Sequence, residues 1–339
     1  MSRFPEILKI VLAGRALDRA QAKAAMDALI GEGVTDAQAG AFLAALRVRG
    51  ETVPELIGFA SAIRGRAVKV KPRRRPLLDT CGTGGDGSGT FNISTTVAFI
   101  AAGAGAAVAK HGNRAVSSRS GSADVLEALG VRTNVTPELA AECVDVAGVG
   151  FLFAPSHHPG FARMRPVRQQ LGARTVFNLL GPLSNPAGAK RQLLGVYSPA
   201  LVRPVAEALK ALGSEDAMVV SSKDGLDELS LSAPTVVARL RGGKVSVSEI
   251  TPESLGLKRR PLKALAGGDA EKNAWITRAI LFGESGPARE VCVLNAAAAL
   301  IVSGLARDWR EGLAMAEDSI DSGRAAASLA ILRQLTVNG

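Results

Sequence analysis

Aromatic side chains are scarce in this sequence of 339 residues, which has 10 Phe, 2 Trp and 1 Tyr. Proteins that bind single-stranded nucleic acids usually stack the bases on aromatic rings, so this scarcity weakens a nucleic-acid-binding interpretation. The net charge is nevertheless +10 and the pI is near 9.9, which would raise the local concentration of an anionic partner. Charge alone does not distinguish a polyphosphate from a nucleic acid or a membrane surface.

Cysteines and long apolar runs are also few. The three cysteines, Cys81, Cys143 and Cys292, are odd in number and far apart, so they indicate neither a disulfide framework nor a CxxC metal site. The longest apolar runs, residues 97–109 and 291–305, are shorter than the roughly 20 residues that span a bilayer. The N-terminal segment carries charges through its apolar stretch, unlike a signal peptide. We therefore expect a cytoplasmic protein without a membrane partner.

Glycine (37 residues) and apolar residues (47%) are abundant, and a chain of this length can bury a large core in about two domains. We predict a helical domain over residues 1–68, joined by helices from about residues 166–186. Three capping-box patterns stand ahead of apolar residues at helical spacing: Asp18 with Gln21, Thr35 with Gln38, and Thr52 with Glu55. The basic, proline-bounded segment 69–76 is interpreted as a connector rather than as a nucleic-acid patch.

After the connector, short apolar runs alternate with helical segments. We predict strands at residues 76–80, 106–109, 150–153, 192–197 and 217–221. Helices are predicted between them at residues 93–103, 123–129, 137–147 and 199–212, and again from about residue 287 to the end. Residues 236–250 contain a Gly-Gly turn between two alternating runs, which predicts a hairpin. The alternation predicts an α/β domain over residues 76–339 with a mostly parallel central sheet.

A glycine-rich loop follows the first predicted strand. Five glycines lie between Gly82 and Thr90, directly before a predicted helix, so backbone amides can converge there on a phosphate. A dinucleotide site is formally matched but would need an acidic residue about 20 positions on, where Lys110 stands instead. No Gly-Lys-Ser/Thr closes the loop as in a P-loop, and a mobile turn without a ligand is the remaining alternative. At the helix start, the segment Asn92 to Thr95 can either cap the helix or turn toward a phosphate or a metal-bound water.

A second polar loop, residues 110–122, follows the next predicted strand. It carries three cations, four serine hydroxyls, an amide and two glycines, groups that can hold a pyrophosphate at several oxygens. Such Ser/Gly density alone is more often a disordered loop. Because the carboxyl ends of parallel strands lie at one sheet edge, we expect this loop to lie beside the first one.

Two further segments carry candidate groups. Residues 151–186 supply two histidines and four arginines, and a guanidinium with apolar walls suits an aromatic carboxylate; Pro166 is expected at a helix N1 position. The paired histidines, His157 and His158, suggest zinc only weakly because no third ligand stands nearby. Asp227 and Glu228 are adjacent carboxylates that suit Mg²⁺, although the dipeptide alone is more often a solvated loop.

The strings GTGGDG and FNIST (residues 82–95), KHGNR (110–114), SGSAD (120–124), PVRQQLGARTVFNLLGPLSNP (166–186) and DGLDELS (224–230) resemble those of anthranilate phosphoribosyltransferases. The resemblance extends over the whole chain. It implies a small N-terminal helical domain plus a large α/β domain of the nucleoside phosphorylase/phosphoribosyltransferase type. It also implies a Mg²⁺-dependent enzyme of tryptophan biosynthesis whose partners are its substrates and a second copy in a homodimer, with no nucleic acid. Pyrimidine nucleoside phosphorylases, which share the fold but lack KHGNR, and a non-catalytic nucleic-acid-binding relative are the alternatives.

The resemblance assigns roles to individual residues. For the donor, phosphoribosyl pyrophosphate, it implies contacts with Gly82, Gly85, Asp86, Thr90, Asn92, Ile93, Ser94, Thr95, Lys110, Ser117, Ser118 and Ser122. For the acceptor, anthranilate, it implies contacts with Gly82, His111, Asn113, His158 and Arg168. The metal ligands are expected to be Ser94, Asp227 and Glu228, and no catalytic residue is certain, although Lys110 and His111 are expected to assist. The sequence departs from the family at Thr96, where Ala is common, and at His157; we expect neither to touch a predicted contact.

An aryl amine is neutral at pH 7 because its lone pair is delocalised into the ring, so it can attack C1 of the ribose without prior deprotonation. A general base is therefore optional. The expected mechanism is a direct displacement with inversion, through an oxocarbenium-like state and without a covalent enzyme intermediate.

Overall fold

The computed structural model describes residues 4–115 and 119–338. Four helices precede the first strand: α1 (Phe4–Leu12), α2 (Arg19–Leu29), α3 (Asp36–Arg49) and α4 (Val53–Arg66). The three capping boxes are confirmed, because Asp18, Thr35 and Thr52 each precede a helix and donate a backbone amide to the side chain three residues on. These caps satisfy first-turn amides locally, so the helix starts could be read from short sequence patterns.

The rest of the chain is built on one seven-stranded sheet. Its strands are β1 (Leu77–Gly82), β2 (Ala107–Gly112), β3 (Val149–Phe153), β4 (Arg191–Gly195), β5 (Asp216–Ser222), β6 (Thr235–Arg241) and β7 (Lys244–Ile250). They lie in the order β3-β2-β1-β4-β5-β6-β7, with the first five parallel and the last two antiparallel to their neighbours. Each predicted strand is present with ends that differ by at most three residues, and the predicted hairpin is β6–β7.

Helices cover both faces of the sheet. They are α5 (Ile93–Gly103), α6 (Ser122–Ala128), α7 (Pro137–Ala147), α8 (Ala154–His157), α9 (Pro159–Leu171), α10 (Phe177–Leu180), α11 (Val202–Ala211), α12 (Ala270–Leu281), α13 (Pro287–Ser303), α14 (Trp309–Asp321) and α15 (Arg324–Asn338). Along β5, Met218 and Val220 belong to the core that contains α5 and α13, whereas Val219 belongs to the core that contains the N-terminal helices. This alternation is the two-residue period of a strand buried on both faces.

The N-terminal helices pack against the sheet through shared apolar residues from α9, α10 and α11. Arg163 on α9 donates to the carbonyls of Leu29 and Gly31 at 2.8 and 2.7 Å, and also to that of Val34, at the end of α2 and in the turn that follows. A half-buried guanidinium that satisfies three carbonyls ties this turn to the region that follows β3. The structure thus combines a small N-terminal helical domain with a large α/β domain, as the sequence predicts.

Two features differ from the sequence-based predictions. Pro166 lies inside α9 rather than at its first turn, because Pro159 already provides a proline at the helix start. Helix α12 was not predicted, although Asp269 caps it through a hydrogen bond from the amide of Lys272. Within residues 4–115 and 119–338, no helix is long and apolar enough to cross a membrane.

Candidate active site

The sheet changes its direction of growth between β1 and β4. The chain runs outward from β1 through β2 to β3, and then returns to place β4 on the other side of β1. Ligands of open α/β sheets bind in the crevice at the carboxyl ends of the two strands that flank such a switch point. Here these ends are Gly82 and Gly195, which are register partners.

Asp227 occupies this crevice, and the two glycines make room for it. A Cβ atom on Gly195 would lie 1.5 Å from the carbonyl oxygen of Asp227, and one on Gly82 would lie 2.6 Å from its carboxylate Oδ2. The same Oδ2 accepts a hydrogen bond of 2.9 Å from the amide of Gly84. The glycine-rich loop and the acidic segment, 143 residues apart in sequence, therefore form one site.

The glycine-rich loop adopts a defined conformation. Four of its glycines have φ between 63° and 75°, a region that other residues rarely adopt: Gly84, Gly85, Gly87 and Gly89. Asp86 folds back, and its carboxylate accepts hydrogen bonds from the amide and hydroxyl of Ser88 at 3.2 and 2.7 Å. At the loop exit, Thr90 pairs with Ala266 in an isolated β-bridge. These contacts hold the loop at the edge of the sheet.

Lys110 lies at the carboxyl end of β2 and is buried. Its ammonium group donates to the carbonyl oxygen of Thr80 and, at 3.2 Å, to the hydroxyl of Ser94. Burial lowers the pKa of Lys110, whereas the nearby carboxylates, including Asp79 and Glu228, act in the opposite direction. The predicted donor-binding lysine and the predicted metal-shell serine thus lie in contact.

Asp227 and Glu228 form a buried acidic pair, with exposures of 9% and 7%. Burial raises the pKa of Asp227 to about 7, with a further contribution from the charge of Asp86. Burial and the charge of Asp227 raise the pKa of Glu228 well above its usual value. The charges of Lys110 and Arg174 offset these rises only in part, so the pair is short of positive charge, and its hard oxygens fit a divalent cation. No cluster of three or more His, Cys, Asp or Glu suited to a metal occurs in the described ranges, so a cation here would need substrate or water oxygens as further ligands.

Asp79 is a site residue that the sequence analysis missed. Its carboxylate accepts hydrogen bonds from the amide of His111 at 3.1 Å and from the side-chain amide of Asn185 at 2.8 Å. It is fully buried, and burial raises its pKa. Asp79 therefore links β1 to the carboxyl end of β2 and to the segment that precedes β4. The available signal was an acidic residue within an apolar strand, because a buried charge requires specific partners.

A row of rings leads away from β2 on the side of His111. His111 and His158 lie 5.0 Å apart between ring centroids, His158 stacks on Phe161 at 5.1 Å, and Phe161 meets Phe177 at 5.4 Å. The guanidinium of Arg168 lies 5.3 Å from the centroid of the Phe177 ring. We call these five residues the ring wall. Arg168 is half-buried and has no carboxylate partner among the described residues, so it fits an anion at the end of an apolar surface.

The two histidines of the ring wall are neutral at pH 7. Burial, aided by His158, lowers the pKa of His111 to about 3, and burial, aided by His157, lowers that of His158 to about 4. Nδ1 of His111 lies 3.0 Å from the carbonyl oxygen of Gly181. A neutral imidazole must donate its N–H to this carbonyl, which leaves Nε2 as an acceptor. That Nε2 is buried and has no hydrogen-bond partner in the part of the chain that the structure describes. His157 instead places its Nδ1 3.1 Å from the carbonyl of Val68, away from the ring wall.

Some polar groups of the second loop are already bonded to other groups of the protein. Arg114, counted among its cations, forms ion pairs with Glu127 and Asp124 at 2.6 and 3.2 Å. Asn113 is exposed, and its carbonyl oxygen accepts from the hydroxyl of Ser122 at 3.2 Å. Ser117 and Ser118, both predicted donor contacts, lie outside the described residues.

The start of α5 resolves part of the ambiguity over residues 92–95. Asn92 makes no side-chain capping bond, and its side-chain amide donates to the carbonyl of Ser120 in the second loop at 3.3 Å. Ile93 is buried, and the buried hydroxyl of Thr95 has no partner among the described residues. Thr96 bonds to the carbonyl of Asn92 at 3.2 Å, so the expectation that it touches no predicted contact is wrong.

Arg174 is another residue to which the sequence analysis gave no role of its own. Its guanidinium lies 4.5 Å from the centroid of the Tyr197 ring, and its Nε would be 3.2 Å from a Cβ atom on Gly85. Its charge opposes the rise in the pKa of Asp227 that burial causes. Arg174 therefore lies beside the glycine-rich loop, whereas Lys110 contacts Thr80, just before the loop, and Ser94, just after it. Arg174 lies within the string of residues 166–186, but this string does not show which groups Arg174 contacts, because Tyr197 and Gly85 are both distant from it in sequence.

Comparisons with known proteins show the family to which the chain belongs. Residues 5–67 match the helical bundle domain of the glycosyl transferase family, and residues 74–326 match its a/b domain. The anthranilate phosphoribosyltransferase of Symbiobacterium thermophilum is 52% identical over 97% of each chain, and that of Rhodopseudomonas palustris strain BisB5 is 51% identical over 100% of each.

Solved structures give the same result. The crystal structure of anthranilate phosphoribosyltransferase from Thermus thermophilus has a TM-score of 0.92 and 44% identity, covering 98% of this chain and 99% of that one. The Saccharomyces cerevisiae enzyme, in complex with PRPP and Mg, has a TM-score of 0.90 and 28% identity over 99% and 98%. With its site at the switch point of the same fold, the chain belongs to the anthranilate phosphoribosyltransferase family.

Proposed function

We propose that this chain transfers the phosphoribosyl group of phosphoribosyl pyrophosphate to the amine of anthranilate, releasing pyrophosphate, as a cytoplasmic enzyme of tryptophan biosynthesis. One observation carries the proposal. Lys110 and His111 are consecutive at the carboxyl end of β2; Lys110 contacts Ser94 beside the acidic pair, and His111 begins the ring wall that ends at Arg168. Successive side chains of a strand point to opposite faces, so one strand end serves two substrates.

The donor site consists of the glycine-rich loop, Lys110 and the acidic pair. Backbone amides of the loop, with the start of α5, are suited to phosphate oxygens. Lys110, in contact with Ser94, and Arg174, beside the loop, supply positive charge. Neutralising the diphosphate while it leaves requires charge and alignment rather than a strong acid. The predicted donor contacts in residues 82–95, together with Lys110 and Ser122, are consistent with this role.

The residues present fit Mg²⁺, because the buried carboxylates of Asp227 and Glu228 are short of positive charge and the backbone of Ser94 forms a hydrogen bond with Glu228. The Saccharomyces cerevisiae relative, of known structure with Mg bound, supports the same assignment. When bound, the ion would stabilise the negative charge of the leaving diphosphate.

The acceptor site is the ring wall. Arg168 is suited to the carboxylate of anthranilate, and the apolar faces of the ring wall are suited to its aromatic ring. Exposed Asn113 stands at the end of the same strand and is assigned to the acceptor too. The free Nε2 of His111 can accept a hydrogen bond from the amine and orient its lone pair toward C1 of the ribose.

The reaction is a direct displacement with inversion at C1. As the C–N bond forms, the C–O bond to the diphosphate breaks, and the nitrogen becomes an acidic ammonium. Even a weakly basic imidazole can accept that proton, so the low pKa of His111 is compatible with an assisting role. The carboxylates at the loop are held by other groups, Asp86 by Ser88 and Asp227 by the amide of Gly84, and we expect no covalent ribosyl-enzyme intermediate.

The proposed function is tested by adding phosphoribosyl pyrophosphate and Mg²⁺ to anthranilate and following the loss of anthranilate fluorescence. Saturable loss that requires all components supports the proposal. Phosphate-dependent cleavage of thymidine or uridine without anthranilate consumption would indicate a nucleoside phosphorylase instead. Salt-sensitive DNA binding without turnover would indicate a binding protein.

A second copy is the proposed protein partner. Leu12 on α1 and Val48 on α3 are large apolar side chains with exposures of 58% and 89%, which supports a homodimer formed through the N-terminal helices. Sedimentation of the native protein and of Val48→Glu would test this assignment. A monomeric native protein would contradict it.

We expect Gly82→Ala to raise the KM for phosphoribosyl pyrophosphate about tenfold, because the new methyl group would displace the Asp227 carboxylate and weaken its bond from Gly84. The KM for anthranilate, measured at a saturating donor concentration, is expected to change less. Gly65→Ala in α4, where nothing lies within 4 Å of the new methyl group, is the matched control. Equal donor KM values for the two variants would contradict the assignment.

Stability should depend on pH through Asp227. Folding raises its pKa from 3.8 to about 7, so its contribution is fully present below the unfolded value and is lost as the pH rises through the folded one. Without Mg²⁺, we expect this group to lower the Tm as the pH rises from about 5 to about 8. Mg²⁺ should raise the Tm more at the upper pH, because it requires ionised carboxylates. Thermal denaturation with and without Mg²⁺ measures both effects, and a Mg²⁺ effect independent of pH would contradict the metal assignment.

A further inference from the structure

Helix α12 is connected to the two polar loops through the buried side-chain amide of Asn273. Asn273 is 2% exposed, and its side-chain nitrogen donates to Oδ1 of Asn92 at 2.9 Å. Asn92 in turn donates to the carbonyl oxygen of Ser120 at 3.3 Å. These hydrogen bonds connect α12 to the exit of the glycine-rich loop and then to the second loop.

The hydrogen bond from Gly268 to Asn273 sets the direction of the two that follow, from Asn273 to Asn92 and from Asn92 to Ser120. The amide of Gly268 donates to Oδ1 of Asn273 at 2.8 Å, so the NH₂ group of Asn273 must face Asn92. Because Oδ1 of Asn92 receives that bond, its own NH₂ group is turned toward Ser120. The side-chain amide of Asn92 is therefore bonded through both its oxygen and its nitrogen, and a flip would lose both hydrogen bonds.

The segment before α12 is fitted closely against the loop exit. A Cβ atom on Gly267 would lie 2.6 Å from the amide nitrogen of Phe91 and 2.7 Å from Oδ1 of Asn273. The amide of Gly267 donates to the carbonyl of Gly89, and that of Phe91 donates to the carbonyl of Leu265. Gly267 is therefore packed closely against both the loop exit and the side chain of Asn273.

We propose that Asn273 is a positioning residue for the donor. It fixes the orientation of Asn92 and, through it, the spacing between the exit of the glycine-rich loop and Ser120 in the second loop, and this spacing sets the affinity for the sugar diphosphate. The inference rests on the proposed function, in which both loops bind phosphoribosyl pyrophosphate. It assigns a role to a helix that lies outside every motif described above.

Helix α12 also offers a matched control. Thr277, about one turn beyond Asn273, is fully buried, and its hydroxyl lies 3.0 Å from that of Thr96 on α5. Thr277→Val therefore removes a buried hydrogen bond between α12 and α5 while it leaves the side-chain bonds from Asn273 to Asn92 and from Asn92 to Ser120 in place. Loss of general packing or stability should appear in both variants, whereas loss of donor positioning should appear only at Asn273.

The experiment measures the KM and kcat for both substrates, with Mg²⁺, in the full chain and in Asn273→Ala, Thr277→Val, Asn92→Ala and the double variant Asn92→Ala/Asn273→Ala. We expect Asn273→Ala to raise the donor KM about tenfold while the anthranilate KM changes less than about twofold. Thr277→Val should leave both KM values nearly unchanged. The double variant should be no worse than Asn92→Ala alone by more than about twofold, because Asn273 acts through Asn92.

The inference is overturned if Asn273→Ala matches Thr277→Val in both KM values, or if the effects of Asn92→Ala and Asn273→Ala multiply. Asn273→Ser, which keeps a smaller hydrogen-bonding group, is measured beside the alanine variant and should retain part of the donor affinity. If Asn273→Ala does not fold, Asn273→Ser replaces it in the comparison with Thr277→Val. Failure of the proposed function is distinguishable, because the unmodified chain would then not consume anthranilate at all.

Discussion

Replacing Asp227 by Asn is expected to lower kcat/KM for phosphoribosyl pyrophosphate by about 100- to 1000-fold. The change keeps the size of the side chain and an oxygen that can accept from the amide of Gly84, but it removes a charge from the buried acidic pair. A neutral amide binds Mg²⁺ more weakly, and the leaving diphosphate then lacks part of its charge compensation. Excess Mg²⁺ should recover some of the lost activity, which the fluorescence assay can measure across a Mg²⁺ titration.

The same substitution should stabilise the protein when Mg²⁺ is absent. At a pH above about 7, folding forces an ionised Asp227 into a site where burial disfavours the charge, and Asn removes that penalty. A loss of activity that accompanies an unchanged or higher Tm would exclude misfolding as its cause.

Asp224→Asn is the matched control, because Asp224 lies in the same segment and accepts a hydrogen bond from the hydroxyl of Ser230 at 2.7 Å rather than facing the crevice. We expect it to change kcat/KM less than about fivefold. Similar losses in the two variants would contradict the role of Asp227.

The sequence predicts most of the fold because its signals are local. The capping boxes at Asp18 and Thr35 need only four residues, and apolar runs bounded by glycine mark the five parallel strands. Helix α12 was missed although Asp269 provides a capping signal, because Trp275 on the helix and Phe282 directly after it are exposed and obscure its apolar face. Pro166 was misplaced because a proline at a helix start and one within a helix look alike in sequence.

The site likewise contains parts that local sequence predicts and parts that it does not. The glycine-rich loop and the KHGNR string are each one continuous stretch of sequence, so each could be recognised as an anion-binding loop from its composition. The contact of Asp227 with Gly84 joins residues 143 positions apart, and that of Asn273 with Asn92 joins residues 181 positions apart. Nor did the sequence show that Arg114 is neutralised by Glu127, since that pairing depends on how α6 follows the second loop. Contacts of this kind are set by strand order and packing, which no short motif encodes.

Replacing Arg168 by Ala is expected to raise the KM for anthranilate about 100-fold, because a charge-assisted pair with a carboxylate contributes about 2 to 3 kcal/mol when partly shielded from water. The donor KM should change little, since Arg168 lies at the far end of the ring wall from Lys110. Arg168→Lys keeps the charge but loses the fork and the stacking on Phe177, and we expect about a tenfold rise. Steady-state kinetics with each substrate varied in turn measures these effects.

A substrate without the carboxylate gives the sharper comparison. Aniline lacks the group that Arg168 is proposed to bind, so the unmodified chain should prefer anthranilate strongly and Arg168→Ala should lose most of that preference. Arg165→Ala, an exposed arginine on the same helix, should keep the preference. If Arg168→Ala lowered the use of anthranilate and aniline by the same factor, the guanidinium would act on something other than the carboxylate, and the acceptor site would have to be placed elsewhere.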